Sequence, residues 1–238
     1  MATSFKDIDD NGRVYDRLCR LLGSGRAVAF VGAGASAGLY PMWRALIREL
    51  GEKARAKARS PADFEFWMRI AGRHPQQAIR GIRAALGDPA YYDALRRIFG
   101  PGDRKITYTP IHAALAALNF RAYVTTNYDA GLPDACRALR PAQAIETGTW
   151  NDTDFLTAWL RGQQAGSHLP GCRVLFAHGD YEQSQDIVLG PSDYRRAYGV
   201  GLYKKLFDLL WNQEMVFVGF GFSDPWFDRM ERALPPNE

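Results

Sequence analysis

Cysteine is scarce in this chain of 238 residues, and its three cysteines, Cys19, Cys136 and Cys172, are far apart in sequence. Since no C-x-x-C pair occurs, their spacing indicates neither a zinc knuckle nor a disulfide framework, and it favours a reducing compartment. No apolar run approaches the ~20 residues that span a bilayer, and the first residues lack the apolar core of a signal peptide. We therefore expect a cytoplasmic protein with no membrane partner.

A strong excess of charge is also lacking. The formal net charge is +4 and the sequence pI is about 9.0. Many of the basic residues lie in two segments of helical pattern, 44–59 and 69–83, in which no aromatic residue alternates with the arginines. Nucleic-acid surfaces usually combine both residue types, whereas a solvated helix face carries the charges alone. We therefore expect no direct nucleic-acid partner.

What the sequence does contain is an apolar run, 27–31, that leads directly into a turn rich in glycine and serine, 32–38. A helical pattern follows from Trp43. Such a strand–turn–helix junction presents backbone N–H groups and a helix dipole to an anion, usually a phosphate. Gly32 and Gly34 would let this ligand approach the backbone without obstruction by a Cβ atom.

Two well-known phosphate-binding signatures are incomplete in this turn. A P-loop requires a lysine directly after its last glycine, but the first lysine after Gly34 is Lys53. The dehydrogenase fingerprint requires a third glycine where Ala37 stands, and an acidic residue about 20 positions further on, after a second strand. Glu52 falls in that interval but belongs to a helical pattern. Neither a Walker-type nucleotidase nor a hydride-transferring dehydrogenase fits the chain.

Alternation of short apolar runs with helical patterns predicts the architecture. Helices are predicted over 13–22, in a series over 43–99, over 111–118 and over 202–211, and strands over 27–31, 122–125, 174–177, 187–189 and 215–219. Short apolar strands separated by helices favour an α/β fold with a doubly wound, mainly parallel, Rossmann-like sheet. We expect one domain over 1–238, with a helical insert at about 43–118 after the first strand.

Four predicted strand ends carry glycine-rich or polar segments, and ligands of parallel sheets bind outside the carboxyl ends of the strands. The segments are G-A-G-A-S-A-G (32–38), Y-V-T-T-N-Y-D (123–129), L-F-A-H-G (175–179) and V-F-V-G-F-G-F-S-D-P (216–225). In this order they resemble the sirtuin superfamily, and more closely its bacterial sirtuin-like, NAD-consuming branch than the protein deacetylases. The resemblance spans about residues 27–225, nearly the whole chain.

The resemblance implies roles for individual residues. Asn127 would hold the nicotinamide ribose and the attacking water, His178 would act on the ribose hydroxyls, and these two residues would be the catalytic pair. Asp129 would contact the nicotinamide carboxamide. The full set implied to contact NAD comprises Gly32, Ala33, Gly34, Ser36, Trp43, Thr126, Asp129, Gly219, Gly221, Ser223 and Asp224.

The residue types also suit the chemistry considered by itself, although structural roles stay open. Cleavage of the nicotinamide–ribose bond builds positive charge on the sugar, and it benefits from an oriented ribose, a positioned water and a weak base. Asn127 and Asp129 could instead cap a helix that begins near Leu132. His178 could be a satisfied structural group, and Asp224 could cap a helix whose first residue is a proline. The other histidines, His74, His112 and His168, are assigned no chemistry.

Departures from the deacetylase pattern bear on the reaction. Deacetylating sirtuins usually carry a four-cysteine zinc module between their His-Gly pair and the late glycine turn. Residues 179–218 contain no cysteine, so we expect no metal. The acidic-Phe-Arg segment of the deacetylases is replaced by Pro41-Met-Trp-Arg44. A missing zinc module removes half of the acyl-lysine channel, which favours water as the nucleophile and hydrolysis of NAD to nicotinamide and ADP-ribose.

The resemblance further implies a gated effector of bacterial antiphage defence, a homo-oligomer, and a sensor or partner module that is fused or separate. Two other functions stay open. One is a module that senses NAD or ADP-ribose without turnover, and the other is a zinc-free, NAD-dependent lysine deacylase. Release of nicotinamide in the absence of an acylated peptide distinguishes the hydrolase from both.

Overall fold

The computed structural model describes residues 11–57, 61–164 and 172–221. Five strands form one sheet in this part of the chain: β1 (Val28–Val31), β2 (Ala122–Thr125), β3 (Ile145–Thr149), β4 (Cys172–Phe176) and β5 (Met215–Val218). The strand order is β3-β4-β2-β1-β5, and every neighbouring pair is parallel. The predicted parallel α/β sheet is therefore confirmed.

The described ranges hold ten α-helices. They are α1 (Asn11–Gly23), α2 (Trp43–Arg55), α3 (Pro61–Ile70), α4 (Pro75–Leu86), α5 (Asp88–Phe99), α6 (Pro110–Ala117), α7 (Gly131–Leu139), α8 (Thr153–Gln164), α9 (Pro191–Tyr198) and α10 (Gly201–Trp211). Several begin with proline at one of the first two helical positions, where its missing N–H is not needed by the helix. Because α2 to α6 all lie between β1 and β2, the first crossover is long.

Helices cover both faces of the sheet. Phe30 belongs to a buried cluster with side chains of α8, α9 and α10, whereas Ala29 and Val31 belong to another with side chains of α6 and α7. Successive side chains of a strand point to opposite faces, so β1 is buried on both sides. A strand covered in this way has a continuous apolar sequence, as this one does. The doubly wound arrangement is confirmed.

A third buried cluster lies among the helices of the first crossover. Its largest contributions come from α2, α4 and α5, with Ile47, Leu50, Ile82 and Leu95 fully or almost fully buried. Leu189, from the segment that follows β4, also belongs to it. These helices therefore pack on the part of the chain that carries the end of β4.

The structure corrects the predicted strands at two places. The apolar run 187–189 is buried but forms no strand, and the N–H of Val188 donates to the carbonyl oxygen of His178 at 2.8 Å. Conversely, β3 was not predicted, because its sequence Ile-Glu-Thr-Gly-Thr has one large apolar residue and no clear alternation. It lies at the edge of the described sheet with Glu146 and Thr147 exposed, so it needs few apolar residues.

Candidate active site

The carboxyl ends of β1, β2, β4 and β5 meet at one cavity of about 680 Å³. Parallel strands bring their carboxyl ends to the same edge of the sheet, so four segments that are distant in sequence converge there. Helices α2 and α4, together with the turn before α4, complete the wall. The predicted site residues that line this cavity are Ala33, Ser36, Trp43, Thr126, Asn127, Asp129, His178, Gly219 and Gly221.

Gly32 and Gly34 lie behind this lining, against the turn that follows β5. The N–H of Gly32 donates to the carbonyl oxygen of Val218 at 2.9 Å, and that of Gly34 donates to Gly219 at 2.8 Å. A Cβ on Gly34 would lie 2.8 Å from the Cα of Gly219, which no real Cβ contact allows. The bare N–H groups expected at these two positions are thus engaged, and here glycine permits two backbone turns to touch.

Ser36 is the centre of a buried hydrogen-bond network. Its hydroxyl donates to Oδ2 of Asp129 at 2.8 Å and accepts from Nδ2 of Asn127, also at 2.8 Å. Because a hydroxyl has one proton, the bond to Asp129 determines that Ser36 acts as an acceptor toward Asn127. The first and second strand ends are therefore joined through side chains as well as through the sheet.

Asn127 does not cap a helix. Its Nδ2 donates to Ser36 and to the carbonyl oxygen of Gly32 at 3.1 Å, and its backbone N–H donates to the hydroxyl of Thr125. The carbonyl of Gly32 can only accept, so it fixes which end of the amide is the nitrogen. Within the described residues, Oδ1 of Asn127 is buried and has no hydrogen-bond partner. Such an orphaned acceptor is costly in a protein interior and is typical of a group that serves a ligand or a bound water.

Asp129 combines a structural role with a place in the cavity wall. Oδ1 accepts from the N–H of Gly131, the first residue of α7, while Oδ2 accepts from Ser36. Burial raises the pKa of this carboxyl to about 6, because its charged form is taken out of water. Asp129 therefore accepts from the first N–H of α7, although the N-cap residue is Ala130, and this bond coexists with the contact to Ser36.

His112 belongs to the same network, although no chemical role was predicted for it. Its Nδ1 accepts from the N–H of Thr109 at 3.2 Å, in a capping box at the start of α6, and its Nε2 lies 3.4 Å from the Ser36 hydroxyl. Burial lowers the pKa of His112 to about 4, so the ring is neutral near pH 7. The Thr-Pro-x-His spacing was the available signal, since it places His112 at the third helical position.

This arrangement excludes a nucleophilic serine. In a Ser-His-Asp triad the histidine accepts the serine proton and donates its other N–H to the carboxylate. Here Nδ1 of His112 is an acceptor, and the Ser36 proton is directed to Asp129. Ser36 is therefore a fixed connector and not an activated nucleophile.

His178 follows β4 and lines the opposite part of the cavity. The side chain is 5% exposed, and its Nε2 lies 3.0 Å from the hydroxyl oxygen of Tyr198 on α9. The ring of Tyr194 meets the imidazole edge to face at 5.4 Å. The sequence did not predict α9, so both tyrosine contacts were missed.

Some predictions for the site fall outside the described part of the chain or concern metal. Ser223 and Asp224 lie outside the described residues. Within those residues, no group of three or more His, Cys, Asp or Glu side chains is placed to hold a metal ion. No helix in the same ranges is long and apolar enough to cross a membrane.

Comparison with known proteins agrees with this geometry. Residues 121–235 match the family model described as a SIR2-like domain, a range that includes Asn127, Asp129 and His178. The match covers just under half of the chain. The matched range begins one residue before β2, so the glycine turn after β1 lies outside it.

Two curated proteins are similar to this chain. Defense-associated sirtuin 2 of Bacillus subtilis is 22% identical over 214 residues, which cover 84% of the chain and 18% of that protein. NAD(+) hydrolase ThsA of Bacillus cereus (strain MSX-D12) is 30% identical over 128 residues, which cover 52% of the chain and 24% of that protein. The matches thus span about a fifth to a quarter of the length of these relatives.

Proposed function

We propose that this SIR2-like chain hydrolyses NAD to nicotinamide and ADP-ribose, with Asn127 and His178 as the catalytic pair. The observation that carries the proposal is the convergence of both side chains on one cavity, where Asn127 keeps an unpaired Oδ1. The similarity to a protein named NAD(+) hydrolase supports the choice of substrate. A volume of about 680 Å³ also lies within the range typical of pockets that enclose a small ligand.

In the proposed reaction, the bond between nicotinamide and the ribose breaks as water adds to the anomeric carbon, and the proton of the water is released. Nicotinamide leaves as a neutral molecule, so no strong acid is needed. The amide of Asn127, fixed by Ser36 and Gly32, would orient the ribose hydroxyl and the water. His178 would act as the weak base that accepts a proton.

The predicted contacts to NAD are part of this proposal. Ser36, Thr126 and Asp129 line the cavity beside Asn127, and Asp129 would contact the carboxamide of nicotinamide. The turns after β1 and β5 would lie near the phosphates and the adenosine. Since Gly32 and Gly34 use their N–H groups within the fold, Ala33 and Ser36 are the members of the first turn that face the cavity.

The wider role is proposed from the relatives. The name defense-associated sirtuin supports an NAD-depleting effector of antiphage defence, active in the cytoplasm and gated by a sensor or partner module. A homo-oligomer and a single domain over 1–238 with a helical insert at about 43–118 belong to the same proposal. Such gating is needed because an unregulated hydrolase would deplete the NAD of the host cell.

The test is to incubate the full chain with NAD and quantify nicotinamide and ADP-ribose, without peptide. We expect release by the wild type, and a reduction of about a hundredfold or more in Asn127→Ala and His178→Ala. Arg97→Gln, which changes a largely exposed side chain on α5, is the matched control and should behave as the wild type.

Three other outcomes would each contradict one part of the proposal. Binding of NAD without release of nicotinamide would support the sensor. Release that depends on an acyl-lysine peptide would support the deacylase. Full activity in Asn127→Ala would remove that residue from the catalytic pair.

A further inference from the structure

Three tyrosines of α9 and α10 surround the end of β4 at His178. The hydroxyl of Tyr203 donates to the carbonyl oxygen of Ala177, the residue before His178, at 2.7 Å. Tyr198 stacks on Tyr203, with ring centroids 5.7 Å apart and planes 21° from parallel. The hydroxyl oxygen of Tyr198 lies 3.0 Å from Nε2 of His178. The backbone before His178 and its ring are thus held by two stacked side chains.

We propose that Tyr198 is a positioning residue that holds the His178 imidazole in one orientation through a hydrogen bond to Nε2. In a neutral imidazole one nitrogen donates and the other accepts, and the hydrogen bond made by one nitrogen sets the state of the other. A phenol hydroxyl can donate to Nε2 or accept from it, so Tyr198 can hold the ring in place in either tautomer.

Tyr198 is itself held in place, by its stacking on Tyr203 and by the contacts that fix the start of α9. Tyr203, on which it stacks, is fully buried, so the stack has little freedom to move. The start of α9 is fixed by Asp193, whose Oδ2 accepts from the N–H of Gly190 at 2.8 Å. Oδ1 of Asp193 accepts from Arg83 on α4 at 3.0 Å. Helix α9 is thus held at the end of β4 through the tyrosine stack, and at α4 through the bond from Arg83 to Asp193.

The ring of Tyr194, one turn earlier on α9, adds a second restraint. It meets the imidazole of His178 at an interplanar angle of 74° and also lines the cavity. Residues four apart on a helix lie on the same face, which is why one helix supplies both contacts. Tyr194 limits the tilt of the ring, while the hydroxyl of Tyr198 lies beside a ring nitrogen.

The proposal can be tested without any assumption about activity. The chain has four histidines, so protein labelled with ¹⁵N at histidine gives few ring signals, and His178→Gln identifies those of His178 by their loss. We expect the Nε2 and Nδ1 signals of His178 to move well beyond their linewidth in Tyr198→Phe at a fixed pH. Signals of His178 that superimpose on the wild type would overturn the proposal.

Tyr123→Phe is the matched control. It also removes one buried phenol hydroxyl, which donates to Leu115 at 3.0 Å on the other face of the sheet. Its His178 signals should coincide with those of the wild type. Thermal unfolding of both variants verifies that each is folded, and a similar change of the His178 signals in the two would assign the effect to general loosening and overturn the proposal.

A second readout rests on the proposed NAD hydrolysis. A small displacement of a proton-transfer group lowers turnover more than substrate binding, so Tyr198→Phe should reduce kcat by about tenfold with KM changed less than about twofold. A kcat equal to that of Tyr123→Phe would argue against positioning. If the wild type releases no nicotinamide, the proposed function fails, whereas the ring signals still decide the role of Tyr198.

Discussion

The N–H of Gly34 donates to the carbonyl oxygen of Gly219 at 2.8 Å, which joins the turn after β1 to the turn after β5. The two strands are neighbours and pair in register from Val28 with Met215 to Val31 with Val218. Their turns continue this pairing beyond the strands. Gly219 adopts a φ of 64°, which glycine accepts most readily, so both partners in the contact depend on the absence of a side chain.

Gly34→Ala should therefore disturb the site. The added Cβ would meet backbone atoms of Gly219 at 2.8 and 2.9 Å, so one turn has to move. We expect a loss of about 1–3 kcal/mol in the free energy of unfolding, measured with urea, and weaker binding of NAD by calorimetry. Gly23→Ala, where nothing lies within 4 Å of the new Cβ, is the control and should change stability by less than about 0.5 kcal/mol. Equal stability and binding in the two variants would contradict the role of this contact.

His112 and Asp129 should give opposite pH dependences of stability. The pKa of His112 falls from its ordinary 6.5 to about 4 on folding, so its stabilising contribution is complete above 6.5 and is lost as pH falls toward 4. The pKa of Asp129 rises from 3.8 to about 6, so its contribution is complete below 3.8 and is lost as pH rises through 6.

Denaturation of variants at pH 7 and pH 4.5 tests this. On acidification, His112→Gln should gain stability relative to the wild type and Asp129→Asn should lose it, each by on the order of 2 kcal/mol. If the free energy of unfolding of both variants changed between the two pH values by as much as that of the wild type, neither pKa would be shifted as described.

The ion pair between Arg83 and Asp193 should matter far more than a surface pair. Its side chains are 22% and 6% exposed, and Asp193 also accepts from the N–H at the start of α9. We expect Asp193→Ala to lower the free energy of unfolding by roughly 2–4 kcal/mol, because the start of α9 loses its acceptor and Arg83 is left with the 60% exposed Asp88 as its carboxylate partner. Asp93→Ala, which removes the partner of the 74% exposed Arg97, is the control and should cost less than about 1 kcal/mol. Similar losses in both variants would contradict the assignment.

The three thiols should separate into one reactive group and two protected ones. Cys19 is exposed, whereas Cys136 and Cys172 are buried with their sulfur atoms 3.7 Å apart. In the native protein, one thiol per chain should react quickly with an aromatic disulfide reagent, and three should react in denaturant, because a thiol has to be accessible to attack. Cys19→Ser should abolish the fast phase. Fast reaction of two or more thiols in the native chain would show that α7 opens away from β4.

Strong local patterns account for the elements that were predicted correctly. The buried strand 122–125 was predicted with its observed bounds, and β1 and β5 within one residue at each end, because each is a short, largely apolar run. The polar edge strand β3 lacks that signal, and the run 187–189 has it for another reason, namely burial among helices. Helices α8 and α9 were not predicted, so the contacts of Tyr194 and Tyr198 with His178 could not be anticipated.

The sequence by itself determined the alternation of strands and helices and placed glycine, asparagine and histidine at the strand ends, because local propensity and hydrophobic pattern are properties of short segments. Only the tertiary structure decided which of these residues meet. Ser36 and Asn127 are 91 positions apart and form a 2.8 Å hydrogen bond, and Cys136 and Cys172, which appeared unrelated in sequence, lie side by side. Such contacts depend on strand order and on the face that each helix covers, and these are fixed only when the whole chain buries its apolar surface at once.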